Sequence, residues 1–342
     1  MSLPHRLRSA LSVLLRGERP SGKRASIPPI TPEEVAEARQ FFPREKFFIF
    51  GHARSGTTLL ARLVRLHPEV YCNWQAHFFT RRPLLKGMVD SPEMEEWLTR
   101  RSNRWNRGRD LSPVVLRAVA DFILEREAAR EGARIVGDKS PNSLLNGESV
   151  RNLHAVYPDA RLIYIVRDGR DVALSERFRN FVEESRFLTA EDKRLLADLR
   201  RDPAPFREGR RSIFTETFLR RIARSWVRNL EETEAEGRRL FGEGYFSLRY
   251  EDLLACPFEV MGGVWRFLGV EVSPELESAI RQEIASNPDQ EWQQQRGGDL
   301  ASLLPKGQAG NWRRFFTPRD RALFEEIAGE MLRKWGYEEK TR

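Results

Sequence analysis

Between Gly51 and Thr58 the chain reads GHARSGTT: a glycine, four residues, a second glycine and two hydroxyl residues. This is the spacing of a phosphate-binding loop, except that the lysine expected after Gly56 is Thr57. A tight turn bounded by glycines and leading into a helix turns several backbone N–H groups toward one point, which holds an anion without any particular side chain. Ser55, Thr57 and Thr58 add hydroxyl donors, and Arg54 carries a positive charge within the loop. Lacking the lysine that reaches β and γ phosphates, the loop suits a shorter anion of lower charge and does not demand Mg²⁺.

A second anion site is legible in ARLIYIVRDGRDVALSERF, from residue 160. The apolar run delivers Arg167 at its C-terminal end, and Gly169 opens a helix on which Ser175 lies two turns later. An arginine at a strand exit and a hydroxyl on the following helix can grip one phosphate together. Two phosphate sites on one sheet imply a nucleotide phosphorylated at both ends.

The elements that must position these residues alternate in kind. Strands are expected at KFFIFG (from 46), ARIVGD (133), ARLIYIVR (160) and GYFSLRY (244). Helical periodicity follows at about 56–66, 111–131, 169–182, 218–237, 257–268 and 318–335. This is the pattern of an α/β fold with a mostly parallel sheet and helices on both faces. Residues 73–110, with Trp74, Trp97 and Trp105, and the charged stretch 183–217 break the alternation. Both read as insertions over the C-terminal edge of the sheet, where open α/β sheets bind ligands, and are expected to form the acceptor site. Residues 1–40 read as a basic tail and Pro-rich linker, and 41–342 as one domain.

The formal charge is +8, yet residues 1–30 hold six basic side chains against one acidic, a net +5 that leaves only +3 for the rest. A basic tail thus explains most of the imbalance, and nucleic acid is not expected as a partner. HRLRSALSVLLRGER has the make-up of a short basic helix that touches an anionic membrane surface, although a plain N-terminal tail is the simpler reading. No apolar run approaches the roughly 20 residues that span a bilayer, so the expected location is cytoplasmic. Two cysteines and five histidines without ligand spacing lead to no expectation of a metal.

GHARSGTTLLARLVRLHP, GDKSP, IVRDGRDVALS, RYEDLLACP…FLG and KGQAGNWRRFFT, taken in order, resemble the successive signatures of the sulfotransferases that use 3′-phosphoadenosine 5′-phosphosulfate (PAPS). The resemblance runs from about 46 to 335 and is to the RSGTT subgroup, which includes tyrosylprotein sulfotransferases and many bacterial enzymes. It implies PAPS as co-substrate, with Arg54, Ser55, Gly56, Thr57 and Thr58 at its 5′ end and Arg167 and Ser175 at its 3′-phosphate. It also implies that Lys139 approaches the transferring sulfuryl together with Arg54. Trp226 and Tyr250 are implied to close the adenine pocket, and Gly310 with its neighbours to cover the nucleotide.

The subgroup pattern breaks at the general base. After His67-Pro68 the chain reads EVYCNWQAHFF, with Trp74 and Gln75 where carboxylates are expected. His77 is the candidate base, since an ordinary imidazole titrates near pH 6.5; Glu69, directly after Pro68, is the alternative and is expected to face solvent. His52 reads as structural. The departure argues against a tyrosine in a peptide, so the expected acceptor is a hydroxyl of a small molecule, lipid or glycan. A P-loop kinase or NTPase, or a nucleotide binder without activity, is the competing reading.

Overall fold

The computed structural model describes residues 27–337 except 83, 101–103, 145, 184–187, 287–297, 301 and 304–306. The tail proposed to touch a membrane, residues 1–26, lies outside the described residues. Five strands, β1 (Glu45–Phe50), β2 (Val70–Trp74), β3 (Ile135–Lys139), β4 (Arg161–Val166) and β5 (Tyr245–Arg249), form one sheet in the order β2-β3-β1-β4-β5. Every pairing is parallel. The central strand β1 holds Ile49 opposite Lys139 on one side and Ile163 on the other.

A β-strand sends successive side chains to opposite faces, and a sheet covered on both needs apolar residues at every position. Phe47 and Ile49 accordingly enter one core, with Ile163, Ile165 and the helices α2 (Thr57–Val64) and α7 (Pro257–Leu268). Phe48 and Phe50 enter the other, with α3 (Ser112–Arg130), α4 (Glu148–Val156), α6 (Glu216–Phe241) and α8 (Pro318–Lys334). The helix after β4, α5 (Gly169–Glu183), packs on α6 and α8.

The expected strands and helices are present; among the elements not foreseen are α4, an edge strand and a helix ahead of β1. The edge strand β2 has Val70 and Cys72 buried but Tyr71 and Asn73 only half-buried, so its five residues lack the continuous apolar run of the inner strands. The segment read as linker contains α1 (Pro32–Phe41), begun by a Thr31/Glu34 capping box.

Under α3 lies a buried charge network. Lys46 Nζ donates to Glu125 at 2.7 Å and sits 3.3 Å from Asp121, which also accepts from Tyr157 at 2.9 Å. Arg117 joins Asp121 to Asp159. Each charge there has an opposite partner, as burial requires.

Candidate active site

The first anion loop leaves β1 at Gly51, whose N–H donates to Asn142 Oδ1 at 3.2 Å while the Asn142 N–H donates to the Gly51 carbonyl at 3.0 Å. A Cβ at Gly51 would stand 2.8 Å from the Ile165 carbonyl, so only glycine fits between β1 and β4. Gly56 has φ of +88° and lies against the Tyr250 ring, 2.2 Å from where a Cβ would be, so any other residue meets both strain and collision. No side chain caps α2, and its first N–H groups have no intrahelical acceptor. Ser55 Oγ is buried with no hydrogen-bond partner, an orphan hydroxyl in the loop that suits an anion.

The cation missing after Gly56 comes from the neighbouring strand. Lys139, the last residue of β3, is buried and donates from Nζ to Thr58 Oγ1 at 3.2 Å. The loop and Lys139 therefore form one cluster.

The second cluster stands at the end of β4. Arg167 donates to the Arg54 carbonyl at 3.1 Å and to the Gln308 carbonyl at 2.9 Å, and its guanidinium lies 4.8 Å from the Tyr250 ring centroid. Its Nε is buried without a partner. Arg54 Nε donates to Ser175 Oγ at 3.1 Å. The expectation placed Arg54 at the 5′ end; here its side chain runs to Ser175 in the second cluster, although its backbone belongs to the first loop. Burial lowers its pKa, while Glu176 on α5 opposes the shift. Arg54 also holds φ of +72°, a left-handed conformation that costs a non-glycine residue energy.

Both aromatic candidates for the adenine pocket are buried. Trp226 is wholly buried, its Nε1 donates to the Arg167 carbonyl at 3.0 Å and its ring packs near Phe324, so it supports the strand exit and offers no face to an adenine. Tyr250 is buried between Gly56 and Arg167, wedging the two clusters apart. Gly310 donates its N–H to Asp171 at 2.6 Å and Trp312 does so at 2.9 Å, which draws the C-terminal segment onto the start of α5. Trp312 is buried there and packs beneath the segment.

His77 lies beside Lys139. Its Nδ1 pairs with Thr80 Oγ1 at 2.8 Å, and its N–H donates to Ser140 Oγ at 3.0 Å. Ser140 in turn donates to Asp138 Oδ2 at 2.5 Å, and Asp138 Oδ1 accepts the Ala76 N–H at 3.0 Å. Gln75 and His77 both have positive φ, so this network holds a strained loop. Desolvation, with Arg81 and Lys139 nearby, lowers the imidazole pKa, which keeps it neutral near pH 7. Burial pushes the Asp138 carboxyl up to about 6, against the hydrogen bonds from Ser140 and Ala76 and the charge of Lys139. Glu69 is half-buried and pairs with Arg134 at 2.7 Å, and His52 is buried against Ala53 and Ser225.

A profile of the sulfotransferase family matches residues 46–274, from the first residues of β1 to beyond α7. The chain belongs to the sulfotransferase family. Among its relatives are protein-tyrosine sulfotransferase A of Caenorhabditis elegans, 31% identical over 128 residues, and the protein-tyrosine sulfotransferase of Drosophila melanogaster, 33% identical over 124. Each match covers 36% of this chain, but only 30% of the nematode protein and 23% of the fly protein. Among solved structures, mouse sulfotransferase SULT7A1 complexed with PAP is similar with a TM-score of 0.48 and 16% identity, covering 88% of this chain and 89% of that one. Sulfotransferase STF9 from Mycobacterium avium is similar with a TM-score of 0.49 and 15% identity, covering 90% and 83%.

In this sulfotransferase-family chain several site residues escaped the sequence reading. Asp138 and Ser140 flank the lysine of GDKSP, and Asn142 follows two residues later. A carboxylate next to a lysine on a buried strand was the available signal, since a buried charge must be held by specific partners. Thr80 and Asp171 gave no such signal, because their partners are set by tertiary contact.

Proposed function

We propose that this chain transfers a sulfuryl group from PAPS to a hydroxyl of a small-molecule, lipid or glycan acceptor, within one catalytic domain spanning 41–342. The observation that carries the reading is the pair of anion clusters on either side of Tyr250, each with a buried, partnerless donor: Ser55 Oγ in one and Arg167 Nε in the other. These donors fit a nucleotide with phosphate at both ends. PAPS, when bound, supplies the activated sulfuryl group.

The loop amides, Ser55, Thr57, Thr58 and Lys139 would hold the 5′ end, and Arg167, Ser175 and Arg54 the 3′-phosphate. Cations and amides fixed in a half-buried cleft stabilise developing negative charge without having to reorganise. In the tautomer whose Nδ1–H donates to Thr80, the lone pair of His77 lies on Nε2, which would take the proton of the acceptor hydroxyl. The acceptor class rests on Trp74 and Gln75 standing where the tyrosylprotein pattern has carboxylates.

Titration with adenosine 3′,5′-bisphosphate and with ATP, each with and without Mg²⁺, tests the nucleotide reading. The bisphosphate is expected to bind equally well without Mg²⁺, and ATP to bind far more weakly. Tight ATP binding that depends on Mg²⁺ would return the chain to the kinase reading. Labelled sulfate appearing in a tyrosine-containing peptide, and in none of the small hydroxylic compounds offered, would overturn the acceptor class alone.

A further inference from the structure

Trp74 ends the edge strand β2 directly opposite Lys139 in the β2–β3 register. Its indole centroid lies 5.2 Å from Lys139 Nζ and 5.7 Å from the Arg65 guanidinium, and 45% of the residue is open to solvent. The next residues turn back across the same strand end: Gln75 N–H donates to the Lys139 carbonyl at 2.8 Å, and His77 N–H to Ser140. The indole and the loop that carries His77 thus flank one lysine.

The other exposed tryptophans differ. Trp97 and Trp105 lie on each other, with centroids 4.9 Å apart, so each already covers part of its partner. Trp226, Trp265 and Trp312 are buried. Among the described residues Trp74 alone combines a solvent-open indole with a place beside Lys139. The two cations over the ring are attracted to its π face and cover part of it, and the 45% that stays open is apolar surface that a ligand at this strand end can cover.

We propose that Trp74 is the acceptor platform and selects a small acceptor whose hydroxyl is carried on a flat ring, aromatic or pyranose, lying on the open indole surface. This rests on the sulfuryl-transfer reading and narrows its acceptor class. A ring with a flat π or C–H face contacts an indole over its whole area, whereas a linear alkanol must give up chain freedom to do the same. Such stacking would leave the ring hydroxyl at the edge of the indole, toward Lys139 and His77.

Calorimetric titration of the protein saturated with adenosine 3′,5′-bisphosphate tests the platform, with 2-naphthol, methyl β-D-glucopyranoside and 1-octanol as probes. At least one ring probe is expected to bind about tenfold or more tightly than 1-octanol, the order of one good aromatic contact plus its buried area. Trp74→Ala should abolish that preference and Trp74→Phe should keep most of it. Comparison of naphthol with glucoside identifies the ring type. Octanol binding as well as both rings, ring binding unchanged in Trp74→Ala, or no probe binding to the bisphosphate-loaded wild type would each overturn the platform and leave sulfuryl transfer standing. Failure of the wild type to bind the bisphosphate itself would overturn the sulfuryl-transfer reading and the platform with it.

Discussion

Arg54 donates from Nε to Ser175 Oγ at 3.1 Å while its carbonyl accepts from Arg167 at the same distance. One residue of the first loop is thereby fastened to both residues of the second cluster. Any rearrangement that draws the Arg54 side chain toward the 5′ end must break the bond to Ser175. If the two clusters hold the two ends of one nucleotide, as proposed, binding at one end is coupled to the other.

Arg167→Ala should weaken adenosine 3′,5′-bisphosphate by about 1.5–3 kcal/mol, the worth of a charged hydrogen bond to phosphate. Adenosine 5′-phosphosulfate, which lacks the 3′ group, should lose much less. Calorimetry with the two ligands checks this, and equal losses would remove Arg167 from the 3′-phosphate.

Lys139→Ala should lower kcat far more than it raises the KM for PAPS, because the lysine meets charge that develops only during transfer. Steady-state kinetics decide the matter. A raised KM at unchanged kcat would make Lys139 a ground-state ligand.

His77→Ala should reduce turnover by roughly 10² or more, the usual contribution of a general base, and leave bisphosphate affinity unchanged. The imidazole must be neutral to act, and burial holds its pKa below the ordinary 6.5. The wild-type rate should therefore fall only as pH drops below 6.5, and the variant should lose that limb. Persistence of both the rate and the limb would eliminate His77 as base.

Asp138→Asn preserves shape but places an amide donor where a carboxylate oxygen accepts from Ser140 or Ala76. Turnover should fall roughly tenfold or more, as for a buried hydrogen bond to a charged group, with little change in bisphosphate affinity. The wild-type carboxyl, pushed up to about 6, gains a proton as pH falls through that value and loses an acceptor. The variant cannot titrate there, so the difference between the two enzymes should shrink in acid. A difference that stays constant with pH would contradict this role.

Lys46→Met should destabilise the fold by about 3–5 kcal/mol, because Asp121 and Glu125 would stay buried with their nearest cation gone. Urea unfolding measures it. A loss below about 1 kcal/mol, the value of an exposed pair, would show that water reaches the network.

What the sequence revealed follows from how local each signal is. The strands around Phe48 and Ile163 were legible because burial on both faces demands unbroken apolar runs. β2 was not, since an edge strand needs only Val70 and Cys72 inside. Gly51, Gly56, Arg167 and Ser175 were legible from spacing alone. The path of the Arg54 side chain and the burial of Trp226 depend on α5 and α6 docking beside the loop, which no local pattern encodes. The hydrogen bonds that join Asp138 and Ser140 to the His77 backbone depend likewise on a strand end meeting a loop that begins on the neighbouring strand.

The sheet order has a consequence for how the protein is made. Parallel partners cannot pair until the intervening crossover has been synthesised, and such long-range pairing is slow. The first loop leaves the ribosome early, but Arg167 is more than a hundred residues further on, and Gln308, whose carbonyl receives it, is later still. A nascent or truncated chain ending before α6 would carry the loop without Trp226 beneath the β4 exit or Asp171's partners at Gly310 and Trp312. Nucleotide added during translation should thus give no protection from protease until the segment through Trp312 has emerged, and then protect the domain in one step.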